Sequence, residues 1–140
     1  MAYDANLLLA SNVTSTVTTA NTAFNLLTGT PRRGMVAKVF YSNAANGSGA
    51  NNVYFSIEQS QDNVNWYPLA FQLENPAGGG TSGIALSTTS QGGEAHVHFD
   101  ISNQQATALQ SQYIRLKCNI AGAGTVPTIT YTSYLGTARP

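Results

Sequence analysis

Charge is the scarcest ingredient of this 140-residue chain, with six basic and six acidic residues and a formal net charge of zero. Nucleic-acid binding requires a basic excess that displaces counterions from phosphates, and none exists here. A single cysteine, Cys118, excludes any intrachain disulfide and gives no sign of an oxidising compartment. Its strongly patterned surroundings read as those of a small buried apolar residue. No apolar run approaches the roughly 20 residues that a helix needs to cross a bilayer. Met1-Ala2-Tyr3-Asp4 lacks the basic start of a secretory signal, and Leu7-Leu8-Leu9-Ala10 is too short for its apolar stretch. The expectation is a soluble chain made in a cytoplasm, with neither membrane nor nucleic acid among its partners.

Uncharged polar residues take the place of charge: Ser, Thr, Asn and Gln supply 49 of the 140 positions. Near-neutral proteins tend to associate, a trait that suits a component of an assembly better than a freely diffusing enzyme. The length fits one domain with one core.

The clearest local signal is Val53–Leu69. Val53, Phe55 and Ile57 alternate with Tyr54, Ser56 and Glu58, the two-residue period of a half-buried strand. Ser60-Gln61-Asp62-Asn63 supplies turn formers. Asn65-Trp66-Tyr67-Pro68-Leu69 then returns along the first strand, with the sole tryptophan expected to pack into the core. Other strands are predicted at Val13–Asn21 (an edge), Met35–Ser42, Ile84–Leu86, Glu94–Ile101, Gln112–Ile120 and Val126–Leu135. Phe71–Leu73 is expected to continue the hairpin strand, and Asn103–Ser111 to make a turn or two of helix. Eight short strands separated by Gly, Asn and Pro turns predict an all-β antiparallel sandwich, most naturally a jelly roll. Residues 1–12 read as an N-terminal arm, 13–136 as the sandwich and 137–140 as a tail.

Candidate chemistry is thin. In Glu94-Ala95-His96-Val97-His98-Phe99-Asp100, strand spacing puts His96, His98 and Asp100 on one face, a set able to hold a divalent ion. The His-x-His start is similar to that of the cupins, also jelly rolls. A cupin-like site would need a later glutamate and a third histidine, and the chain has neither. An outward polar face is the simpler reading, and no cofactor or metal is expected. Cys118 falls on an apolar face and no Gly-x-Ser-x-Gly elbow occurs, so no catalytic residue is assigned. Trp66, Tyr67, Tyr54 and Tyr113 could make a carbohydrate platform, which is the alternative function. Gly47-Ser48-Gly49 is not a phosphate loop, because no Lys-Ser/Thr follows it.

Three stretches belong together: the Tyr3-Asp4-Ala5-Asn6 start, Ser56–Trp66 with its S-x-D-x-x-x-W hairpin, and Tyr113-Ile114-Arg115-Leu116 followed by Gly124-Thr125-Val126-Pro127-Thr128-Ile129-Thr130. This combination, spanning most of the chain, resembles the capsid cement (decoration) proteins of tailed phages. The resemblance implies a jelly roll that forms homodimers on the outer capsid surface of the virion. It would bridge major capsid protein subunits there, and it brings no catalytic residues. The surfaces expected to meet a partner are Leu7, Leu8 and Leu9 as an apolar arm, Arg32 and Arg33 as carboxylate-gripping anchors, and the strand face carrying His96 and His98.

Overall fold

The computed structural model describes residues 7–25, 34–45, 51–69, 71–74, 84–85, 89, 91–100, 113–122 and 127–137. Eleven β segments follow in order: β1 (Leu8–Ser15), β2 (Thr19–Ala20), β3 (Phe24–Asn25), β4 (Met35–Ala45), β5 (Asn51–Ser60), β6 (Tyr67–Pro68), β7 (Phe71–Glu74), β8 (Ile84–Ala85), β9 (Gln91–Phe99), β10 (Tyr113–Gly122) and β11 (Thr128–Thr137). They form two sheets, one in the order β1-β11-β4-β9-β7 and one in the order β2-β10-β5-β6, with β3 also on β10 and β8 also on β5.

The pairing is nested. The first strand pairs with the last (β1 with β11), the second with the last but one (β2 with β10), β4 with β9 and β5 with β6, all antiparallel. A single long hairpin rolled on itself gives this order, which is that of a jelly roll. Segment β7 then extends the first sheet beyond β9. Among the described residues no helix is long and apolar enough to cross a membrane.

Alternation decides which side chains fill the space between the sheets. Met35, Ala37, Val39 and Tyr41 of β4, Val53, Phe55 and Ile57 of β5, and Ala95, Val97 and Phe99 of β9 are all buried. So are Ile114, Leu116 and Cys118 of β10 and Ile129, Tyr131 and Leu135 of β11. Phe55 meets Tyr131 edge-on at 5.1 Å between ring centres, joining the sheets by a favoured aromatic geometry. The Tyr131 hydroxyl takes a 2.8 Å hydrogen bond from Asn21 Nδ2. Asn21 also donates its backbone N–H to the Leu116 carbonyl at 2.9 Å, so one residue ties the β2–β3 connection to both sheets. Burial pushes the Tyr131 hydroxyl above its ordinary pKa, and the Asn21 hydrogen bond opposes that shift.

Three sequence expectations are corrected. Residues 8–12 are not a free arm but the first half of β1, with Leu9 and Ala10 in the core. The proposed boundary after residue 12 therefore falls inside a strand. The strand was hidden because it bulges twice against β11, between Leu8 and Ala10 and between Ala10 and Val13, which destroys the two-residue period. Asn12 sits there at φ +46°, a left-handed conformation that asparagine tolerates. Second, Phe71–Leu73 does not prolong the hairpin: Leu69 still donates its N–H to the Ile57 carbonyl at 3.0 Å, whereas β7 joins β9 of the other sheet. Third, Thr137, assigned to the tail, ends β11 opposite Met35. Residues 1–6, 103–111 and 138–140 lie outside the described residues.

Two edges are guarded. Along β1 the bulges interrupt the row of groups that another strand would need. On the other sheet, the Thr18 hydroxyl accepts the Ile120 N–H at 3.1 Å and lies 3.4 Å from the Ile120 carbonyl, standing in for a neighbouring strand.

Candidate functional site

The S-x-D-x-x-x-W hairpin is a capped turn with a purpose for each named residue. Ser60 Oγ accepts the N–H groups of Asp62 (3.3 Å) and Asn63 (2.9 Å) and donates to Asp62 Oδ1 at 3.0 Å. Asp62 Oδ1 in turn accepts the N–H groups of Val64 (2.9 Å) and Asn65 (2.8 Å), while Oδ2 accepts Asn65 Nδ2 at 2.7 Å. Asn63 supplies the left-handed residue at φ +61°. These donors, the Asn65 N–H first and then that of Val64, hold the Asp62 carboxyl well below the usual carboxylate range. The turn leaves Val64 75 % and Tyr67 49 % exposed and delivers Trp66 to the outer face of the six-stranded sheet.

Trp66 is therefore not a core residue, contrary to the sequence expectation. It is half-buried outside the sheet, with the Arg115 guanidinium lying 4.2 Å over its ring. Arg115 lies directly across from Glu58 in the β5–β10 register. Its Nε donates to Glu58 Oε1 at 2.8 Å, and its Nη2 approaches the same oxygen at 2.7 Å. Lys117, two residues on along the same face, stands 3.8 Å from Glu58 Oε2. The Glu58 side chain is only 12 % exposed, whereas Arg115 and Lys117 keep 24 % and 32 %. Beyond them Asn119 Nδ2 donates to Ser56 Oγ at 2.8 Å. Neither Arg115, Glu58 nor Lys117 stood out in the sequence, where each reads as one more outward strand residue; only the register reveals the cluster.

The outer face of the five-stranded sheet is different in kind. Glu94, His96 and His98 alternate with the buried Ala95, Val97 and Phe99 and therefore face outward. His96 Nε2 lies 2.7 Å from Glu94 Oε1, and the two imidazoles meet edge-on at 6.2 Å. Lys38 lies opposite His96, and beyond it Phe40 and Tyr134 make an edge-to-face pair at 6.4 Å. Thr14 and Thr130 share a 2.9 Å hydroxyl hydrogen bond at the far side. Asp100 does not join the histidines: its Oδ1 accepts the N–H of Gly34 at 2.7 Å, fixing a glycine at φ +63°. Among the described residues no group of three or more His, Cys, Asp or Glu is placed to hold a metal ion.

The remaining candidates separate. Leu9 is buried, Leu8 half-buried, and Leu7 38 % exposed, so the three leucines do not act as one apolar arm. Beside them lies a cleft of about 290 Å³, lined by Leu8, Leu9, Ala10 and Val13 of β1 with Asn21 and Thr22. Arg32 and Arg33 lie outside the described residues. The chain matches no protein-family model, no curated protein and no solved structure.

Proposed function

We propose that this chain is a structural cement (decoration) protein of a tailed-phage head, binding the outer capsid surface and bridging major capsid protein subunits as a homodimer. The observation that carries this reading is the outer face of the five-stranded sheet. Thr14, Thr130, Phe40, Tyr134, His96 and His98 spread over β1, β11, β4 and β9, strands whose only charged residues are Lys38 and Glu94. A thinly charged, aromatic-bearing plane on a stiff sandwich suits contacts repeated over a shell, where many weak attachments multiply through effective concentration. A dimer presents such a patch twice about a two-fold axis, so that one unit ties two neighbours together.

The protein acts by binding and not by turning over a substrate. Cys118, its one thiol, is buried, and burial pushes it up to about 12, far from the thiolate a nucleophile requires. A carbohydrate platform on Trp66 is the weaker reading, because Arg115 already covers one face of the ring that a sugar would use.

Co-sedimentation with capsids assembled without this chain tests the proposal. The expected result is saturable attachment and a higher disruption temperature for the decorated shells. A chain that stays in the supernatant at every ratio overturns it.

A further inference from the structure

We propose that Arg115, seconded by Lys117, is an anchor that receives a carboxylate side chain from a partner protein. Two cations surround one carboxylate on the outer face of the six-stranded sheet, so among the described residues Glu58 leaves the cluster with one uncompensated positive charge. Glu58 engages Arg115 through a single oxygen and only along its Nε–Nη2 edge. The Nη1 donors have no partner among the described residues, and Lys117 stands back at 3.8 Å. A second carboxylate meets a forked donor at Arg115 and a point charge at Lys117, the complementarity that guanidinium and ammonium groups offer to acidic side chains.

The site is also preorganised. Arg115 is held between the Trp66 ring and the Glu58 carboxylate, so little side-chain freedom remains to be lost on binding. Trp66 is held in turn by the turn that Ser60 and Asp62 cap. The Asp62 carboxylate is occupied by N–H donors of its own turn. Arginine and tryptophan are the residue types on which binding energy concentrates at protein interfaces. The capped hairpin thus has a use beyond joining two strands: it sets the platform on which the arginine lies.

This anchor depends on the capsid reading only for the identity of the partner, and it is testable without a capsid. Trp66 is the only tryptophan, so its emission reports on this site alone. The full chain is titrated at low salt with hexaglutamate, hexaglutamine and inorganic phosphate. The expected result is a saturable change in Trp66 emission with hexaglutamate, no change with hexaglutamine, and a weakening as salt is raised. Arg115→Gln should weaken hexaglutamate binding about 10-fold, and Arg115→Lys should not restore it, because an ammonium lacks the fork. Should Arg115→Gln fail to fold, Lys117→Gln, a more exposed residue, should fold as the parent does and bind about 3-fold more weakly. The inference is overturned if hexaglutamate gives no saturable response, if hexaglutamine or phosphate responds equally, or if the folded variants bind as tightly as the parent. Capsid attachment can fail while hexaglutamate still binds, and the reverse, so the two readings fall separately.

Discussion

The outer faces of the two sheets come from the same alternation of strands, yet they are held in contrasting ways. On the six-stranded sheet, Glu58 is sunk between Arg115 and Lys117, with Trp66 closing one side. Each of these groups depends on another. On the five-stranded sheet the outward contacts are spread out: Thr14 with Thr130, Phe40 with Tyr134, and Glu94 with His96, which also meets His98 edge-on. Removing one member of a buried, charged cluster strands its partners, whereas removing one member of a more exposed contact changes less. The first face should therefore contribute to folding stability as well as to recognition, and the second to recognition alone.

Four substitutions sharpen or break that contrast. Glu58→Gln should have the largest effect, about 2 kcal/mol lost in urea unfolding, because it leaves a partly buried guanidinium without its counter-charge. A loss under about 0.5 kcal/mol would mean that the cluster is no more cohesive than the opposite face. Asp62→Ala should lower the urea midpoint and red-shift Trp66 emission. The folded pKa of Asp62 is depressed, so its contribution is complete above the unfolded carboxylate value of about 4 and is lost as pH falls through the lower folded value. The gap between parent and variant should hold from pH 7 to about pH 4 and narrow on further acidification; a gap that widens in acid contradicts the assignment.

Ser133→Ala probes the interior behind the histidine-bearing sheet. The Ser133 hydroxyl is fully buried and has no hydrogen-bond partner among the described residues, so its removal should leave stability unchanged or raise it by up to about 1 kcal/mol. Last, His96→Gln with His98→Gln should shift stability by less than about 0.5 kcal/mol while reducing capsid attachment measured by co-sedimentation. If thermal unfolding falls by several degrees instead, that face is structural.

The inward halves of the strands were legible because each depends only on the two-residue period. Val53, Phe55 and Ile57, or Ala95, Val97 and Phe99, name their own face without knowledge of any neighbour. The jelly-roll class followed from the number of such runs. What escaped were features that depend on register or on interrupted periods. Leu7-Leu8-Leu9 looks like an arm because its strand bulges. Trp66 looks like core because a two-residue return strand gives no alternation from which to assign a face. Phe71–Glu74 changes sheets across a connection that carries no glycine. The cluster of Glu58, Arg115 and Lys117 exists only once β5 is laid against β10, and sequence separation conceals that pairing. Of the surfaces expected to meet a partner, the outward placement of His96 and His98 was read from alternation and agrees with the structure, while the apolar leucine arm does not.

The nested pairing of strands carries one more consequence, for biosynthesis. Asn12 donates its N–H to Thr132, a residue made 120 positions later. The amino-terminal strand must therefore wait until almost all of the chain described here has left the ribosome before its neighbour exists. Until then β4 has β9 on one side but no β11 on the other, and that second edge is open to foreign strands. Topologies dominated by such distant closures fold in milliseconds to seconds and not in microseconds. Premature termination just short of residue 128 should accordingly yield aggregates, not a smaller folded body.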